Sequence, residues 1–296
     1  MRIESSRSII IDMLKARVMK LISNQYSVLI EDQIVLAKPM GKLRLNDSPI
    51  VGDWVHVEKM QEHWVIQQVL PRTNQLIRPV IANVDQALVV TSLFRPDFSA
   101  VLLDRLLFLI MAAQITPVIC ITKCDLIACD DPVFEIIDEY EQAGYQVLRT
   151  GFGYDIQPIK EALKGKITVL TGQSGAGKSA LLNRLDASFK IKTQETSKAL
   201  NRGKHTTRHV ELHPVANGWV ADTPGFSSLS FAHISKEYLG EVILDFKPYF
   251  GKCKFRNCIH INEPGCVIKQ AVKDKKISAI RYQNYVDVCE LIDKGE

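Results

Sequence analysis

The chain has 296 residues, of which 46% are hydrophobic and 24% charged, and its net charge is +4. These are the proportions of an ordinary soluble globular protein; they exclude a chain too polar to bury a core, and the length accommodates about two domains or three small ones. The slight basic excess suits a nucleic-acid partner without requiring one. The opening stretch MRIESSRSIIIDMLKARV lacks a secretory pattern, because Asp12 breaks the apolar run from Ile9 to Leu14 and no small-residue cleavage site follows. Residues 16 to 70 then read as short strands: RVMKLISNQYSVLIED, IVLAKPMGKLRL and VGDWVHVEKMQEHWVIQQVL are rich in β-branched and aromatic residues and bounded by Gly, Asn, Asp and Pro. They predict a small antiparallel barrel or sandwich. The basic GKLRL segment, with aromatics nearby, suits single-strand or RNA binding, and equally a solvated loop on a structural β-domain.

From about residue 79 the pattern becomes alternating strands and helices. VDQALVVTSL is a strand, SAVLLDRLLFLIMAAQ a helix, PVICITKCDL a strand, VFEIIDEYEQAGY a helix ending at Gly144, and QVLRTGF a strand. IQPIKEALKG is a helix, KITVLTG a strand and SALLNRLD a helix. This is the βα alternation of a doubly wound sheet. The uncharged run from Leu106 to Thr122 is at the short limit for a membrane span and is interrupted by Gln114, Thr116 and Pro117, so it reads as a buried helix followed by a buried parallel strand. After about Phe231 the strands stop; a cysteine cluster and one charged helix, AVKDKKISAIRYQNYVDVCELI, complete the chain.

Residues 172 to 179, GQSGAGKS, match G-x-x-x-x-G-K-[ST] at every fixed position, between an apolar strand and a helix. Glycines let the backbone turn its N–H groups toward phosphates, and the helix that follows adds the positive end of its dipole. The expected nucleotide contacts are therefore Gly172, Gln173, Ser174, Gly175, Ala176, Gly177, Lys178, Ser179 and Ala180. Lys178 is expected to reach the β- and γ-phosphates as a catalytic group, and Ser179 to supply a hydroxyl to Mg²⁺. About 45 residues on, WVADTPGF ends an apolar strand at Asp222, and the D-x-x-G spacing to Gly225 suits a carboxylate acting on Mg²⁺ with a glycine N–H on the γ-phosphate. Between them lies the polar segment LNRGKHTTRHVEL, in which either Thr206 or Thr207 is the candidate switch threonine.

Ile121 to Leu126, ITKCDL, follows the pattern N-K-x-D with Thr122 where asparagine is commoner. Asp125 can accept two hydrogen bonds from the donor edge of guanine, an edge that adenine lacks, so ATP would leave the carboxylate unpaired. The stem of Lys123 can pack over the base, and Thr150 and Gly151 lie at a later strand end where a second base-contacting turn would fall. The guanine motif precedes the phosphate loop by about 50 residues, the reverse of the ordinary GTPase order. A circular permutation explains this, because one sheet can keep its strands when the chain ends are joined and reopened elsewhere.

Cys253, Cys258, His260 and Cys266 form a C-x4-C-x-H-x5-C array, with Pro264 and Gly265 making a tight turn before the last ligand. Three thiolates and one imidazole complete a closed tetrahedral shell, the signature of one structural Zn²⁺. Cys120, Cys124, Cys129 and Cys289 read as ordinary thiols.

The permuted motif order, GQSGAGKS, GKHTTR, DTPGF and the cysteine cluster behind a β-rich N-terminal part, together with LPRTNQLIRPVIANVDQALVV and LLDRLL, resemble the ribosome small-subunit-dependent GTPase family, RsgA. The resemblance covers about residues 15 to 290. It implies three domains: an OB-like, RNA-binding β-barrel over residues 1–77, with 1–14 as an extension; a circularly permuted α/β P-loop GTPase domain over 78–232; and a small helical zinc-binding domain over 233–296. It also implies GTP and GDP as ligands, the small ribosomal subunit and its rRNA as partners in late maturation, and hydrolysis stimulated by that particle. A cytoplasmic monomer without membrane contact is expected. Phe226 follows the D-x-x-G motif where Ras-type proteins carry a water-orienting glutamine, and it cannot hydrogen-bond to water. His205 is the candidate that replaces it, and the resemblance points the same way. The competing reading is a nucleotide-gated switch with a different RNA or protein partner; an ATPase or small-molecule kinase is disfavoured by Asp125.

Overall fold

The computed structural model describes residues 13–22, 25–41, 43, 48–77, 80–187, 210–222 and 230–295. The chain divides into two compact units, residues 1–83 with 207–212, and residues 84–206 with 213–296.

The first unit is built on a closed five-stranded barrel. Its strands are β1 (Leu14–Ile22), β2 (Gln25–Ile30), β3 (Gln33–Pro39), β4 (Trp54–Met60) and β5 (His63–Val69). They are ordered β1-β2-β3-β5-β4, with β4 closing back on β1 through pairs from Leu14–Val57 to Arg17–Trp54. Alternation aims Tyr26, Val28 and Ile30 of β2, and Val55 and Val57 of β4, into a core shared with Ala16, Val18, Ala37 and Ile66. All pairings are antiparallel except β3 with β5, which the chain reaches by crossing over β4. Closure leaves the barrel without an open edge. Asp53, fully buried, accepts two hydrogen bonds from Arg72, at 2.7 and 2.8 Å, and one from the Ile50 N–H. A small hairpin of β6 (Gln75–Ile77) and β7 (Val80–Ala82), which the sequence pattern does not single out, completes this unit. Of the GKLRL segment only Gly41 and Leu43 are described, and the expected basic loop lies outside the described residues.

The second unit holds a six-stranded sheet. Its elements, in chain order, are β8 (Gln86–Ser92), α1 (Ala100–Ala112), β9 (Thr116–Thr122), α2 (Val133–Gln142), β10 (Gln146–Arg149) and α3 (Gln157–Leu163). β11 (Ile167–Gly172), α4 (Lys178–Leu185), β12 (Leu212–Val215) and β13 (Gly218–Asp222) follow. The sheet order is β10-β9-β8-β11-β13-β12, with parallel pairing from β10 through β13. All seven residues of β8 are buried, as a parallel strand covered on both faces requires. Ala216 and Asn217, both at positive φ, make the two-residue turn joining β12 to β13. The uncharged run becomes the end of α1 and the whole of β9, and among the described residues no helix is long and apolar enough to cross a membrane.

The C-terminal part of this unit contains α5 (Lys236–Val242), α6 (Val267–Lys273) and α7 (Ala279–Lys294). The single charged helix expected over this last stretch is two helices. Lys275 adopts φ 58°, and the N–H groups of Lys275 and Lys276 bond back to the carbonyls of Val272 and Ala271 at 3.0 and 2.8 Å, closing α6 with a left-handed cap. α7 then lies against α1. Between them sits a buried polar group: Asp104 accepts hydrogen bonds from Tyr140 at 2.8 Å and Asn284 at 2.6 Å, while Arg281 pairs with Asp245 and lies 4.0 Å over the Tyr140 ring.

Candidate nucleotide-binding site and metal cluster

The phosphate loop leaves the sheet at the end of β11, in the middle of the sheet. Gly172, at φ +127°, abuts β8 so closely that a Cβ would stand 1.9 Å from the Val90 carbonyl oxygen. Gly175 and Gly177 also take positive φ, 78° and 95°, and Gly177 caps the N-terminus of α4. These are backbone shapes that residues with side chains adopt only under strain. Ala176, between those two glycines, is fully buried. Lys178 folds back to donate to the carbonyls of Gly172 at 2.7 Å and Gln173 at 2.8 Å, while Ser174, Ser179 and Ala180 are exposed along the loop and the first turn of α4. β13 pairs with β11 through Leu170 and Asp222, so the backbone of Asp222 runs beside the strand that feeds the loop.

The guanine motif ends the neighbouring β9. Lys123 takes the left-handed region at φ 60° and starts a short 3-10 turn over Cys124–Leu126, which leaves Asp125 exposed. Thr122, buried, donates its hydroxyl to the Ala176 carbonyl at 2.6 Å and the Thr91 carbonyl at 3.2 Å. The Lys123 ammonium donates to the carbonyls of Gly175 at 3.1 Å, Phe94 at 2.8 Å and Arg95. Both residues therefore tie the guanine turn to the phosphate loop. The Thr150 N–H donates to Ile121 O at 2.8 Å, and the Cys124 N–H to Thr150 O at 3.2 Å, which brings the turn after β10 against it. Gly151 lies where a Cβ would come within 2.2 Å of the Asp125 carboxylate. Arg184, near the end of α4, donates to the Thr150 hydroxyl and the Gly151 carbonyl, both at 2.9 Å, and to the Tyr154 carbonyl. The sequence reading missed this brace, because an arginine on the polar side of a helix looks like any solvated charge.

The cysteine array comes together as its spacing predicts. The ligand atoms of Cys253, Cys258, His260 and Cys266 all lie within 4.8 Å of one another. Nδ1 of His260 is 3.6 Å from the Cys253 sulfur and 3.4 Å from the Cys266 sulfur, and these two sulfurs are 3.9 Å apart. A tetrahedron with metal–sulfur bonds of ~2.3 Å has edges of ~3.8 Å, so this donor set is compatible with a zinc site. The His260 backbone sits at φ 63°, and the carboxylate of Glu263 accepts the N–H groups of Ile259 at 2.9 Å and Ile261 at 3.0 Å. From α7, Tyr282 and Tyr285 donate to the carbonyls of His260 and Ile259, each at 2.7 Å. Burial lowers the His260 pKa and so favours the neutral, ligating ring, while burial pushes the Cys258 thiol up to about 12.

A model of the RsgA GTPase family matches residues 69–232, and one of the RsgA N-terminal domain matches residues 15–64. The chain belongs to the RsgA GTPase family. Relatives include a protein of Bacillus pumilus named small ribosomal subunit biogenesis GTPase RsgA, 45% identical over 92% of this chain and 95% of its own length. The protein of that name in Bacillus subtilis is 42% identical over 92% of this chain and 95% of its own length. Among solved structures, YloQ, described as a circularly permuted GTPase, superposes with a TM-score of 0.83 at 37% identity, covering 100% of this chain and 99% of its own. YjeQ from Thermotoga maritima gives 0.80 at 34%, covering 95% and 98%. As an RsgA-family member the chain is a GTPase, with an OB-like barrel ahead of a permuted G domain. Hydrolysis in this family implies Mg²⁺ bound with GTP. Of the RsgA-family site residues expected from sequence, His205, Thr206, Thr207 and Gly225 lie outside the described residues, as does the side chain of Asp222.

Proposed function

We propose that the chain hydrolyses GTP to GDP and phosphate in the late maturation of the small ribosomal subunit, and that the subunit stimulates the reaction. What carries this reading is a guanine turn and a phosphate loop clamped together in permuted order, in a chain matched over 92% of its length by a protein named for small-subunit biogenesis. Asp125 accepts the donor edge of guanine, Lys123 flanks the base, and Thr150 closes the second base turn. The backbone from Gly172 to Ala180 wraps the phosphates, and Lys178 exchanges its two carbonyl partners for phosphate oxygens when nucleotide enters. Ser179, Asp222 and one of Thr206 or Thr207 would hold Mg²⁺, which would supply charge neutralisation at the phosphates, and the Gly225 N–H would meet the γ-phosphate. His205 orients the attacking water that Phe226 cannot touch.

The division into a barrel domain over 1–77, a GTPase domain over 78–232 and a zinc-binding domain over 233–296 is part of the same proposal. So are one structural zinc held by Cys253, Cys258, His260 and Cys266, rRNA binding through the barrel, a monomeric state and a cytoplasmic location. The closed barrel supports the OB-like assignment of the first of these domains, and the donor set of three thiols and one imidazole supports the zinc site.

The test is GTP turnover with and without purified small subunits, with Lys178→Ala as the blank. Small subunits alone should raise turnover by at least about tenfold, a barrier change of ~1.4 kcal/mol. In His205→Ala that stimulation should vanish while GTP still binds. Turnover indifferent to ribosomal particles would transfer the protein to the rival reading, a nucleotide-gated switch with another partner.

A further inference from the structure

Phe152 is 92% exposed, more than any other large apolar side chain among the described residues. Its backbone is nevertheless braced. Arg184 holds the carbonyls of Gly151 and Tyr154 on either side of it, and the Tyr154 N–H returns to Gly151 O at 3.3 Å. The ring therefore stands in water on a fixed turn. One residue earlier lies Gly151, where a Cβ would come within 2.2 Å of the Asp125 carboxylate. Two residues before Asp125, Lys123 is tethered to the phosphate loop and to the carbonyls of Phe94 and Arg95. A purine whose edge is hydrogen-bonded to Asp125 presents two flat π faces, and Phe152 is the aromatic residue directly after the glycine that borders Asp125. We infer that Phe152 stacks on the nucleobase and sets the affinity for nucleotide, while Asp125 sets the choice of base.

This inference rests on the reading of Asp125 as the guanine acceptor. Stacking is indifferent to which base is present, because every base has a π face. GDP and GTP share one base and differ only at the phosphates, so the loss on removing the ring should be alike for both. By the usual strength of base–aromatic stacking, Phe152→Ala should raise the Kd for GDP between about fivefold and 150-fold, and Phe152→Tyr should stay within about threefold of the parent. Truncating so exposed a ring removes no packing, and circular dichroism would verify the fold.

The experiment is calorimetric titration of the full-length, zinc-loaded protein with GDP, for the parent and the two Phe152 variants. Asp125→Asn is titrated with GDP and with xanthosine diphosphate, whose carbonyl complements the asparagine amide. A weaker Phe152→Ala, restored in Phe152→Tyr, supports stacking. Unchanged GDP affinity in Phe152→Ala, together with a switch of Asp125→Asn to the xanthine nucleotide, overturns the role of Phe152 and leaves the base reading standing. Absence of that switch removes the base reading, and the inference with it.

Discussion

Thr122 stands where asparagine is commoner in the guanine motif, and its surroundings show what the substitution preserves. A hydroxyl has one proton to give, and here it is shared between the carbonyls of Ala176 and Thr91. The tie between base turn and phosphate loop survives; only the amide's second donor is gone. Asp104 has the opposite character, a carboxylate kept for structure. Burial pushes its pKa to about 6, against the opposing pull of Arg281, Asn284 and Tyr140. Its folded form thus holds a proton more tightly than the unfolded chain does. The contribution to stability is highest below about pH 4, falls as pH rises toward 6, and is flat beyond. Between about pH 4.5 and 6.5 this group alone should lower the unfolding free energy by ~2 kcal/mol, and in Asp104→Asn that fall should disappear. Urea unfolding of both proteins at the two pH values measures it; parallel pH profiles would reject the assignment.

At the scale of elements, the sequence was legible where periodicity is long or a motif dictates backbone shape. β8, α1 and β9 could be read from dense apolar stretches, and the phosphate loop from glycines that take positive φ, Gly172 with no room for a Cβ. The cysteine spacing announced the cluster because four ligands on a short loop have few other uses. What stayed hidden is short or decided by tertiary contact. β6 and β7 have three residues each, and α5 has seven. The break between α6 and α7 carries no glycine or proline: it rests on Lys275 in a left-handed conformation, with Ile277 buried just beyond it. Arg184 and Phe152 gave no signal at all, since their roles depend on a turn some thirty residues away in one case and on a bound base in the other. The metal cluster also makes a prediction at this scale. Cys266 caps the N-terminus of α6, and the tyrosines of α7 hold the carbonyls of His260 and Ile259. Chelation, or Cys258→Ala, should therefore melt α6 and loosen α7 together. Far-ultraviolet circular dichroism before and after chelation should show the helical loss; a spectrum unchanged by zinc removal would separate the helices from the cluster.

At the scale of the whole molecule, the proposed RNA partner would meet a chain of modest charge, +4 overall. Affinity for small-subunit rRNA should accordingly fall with salt at a slope set by a handful of phosphate contacts, ~0.7 to 0.9 per contact; titrations between about 50 and 200 mM salt give that slope, and a flat line would exclude phosphate contacts as the source of binding. The sheet order β10-β9-β8-β11-β13-β12 has a further consequence, for the chain as it leaves the ribosome that makes it. β8 emerges first, and β9 and β10 add outward from one of its edges. β11 then takes the other edge, and β13 with β12 extends it. No strand has to be threaded between two that have already paired. The permuted gene order is thus also an order of growth, in which the nascent protein completes its base turn before the phosphate loop has been synthesised, and acquires its hold on nucleotide only when α4 arrives to brace the two.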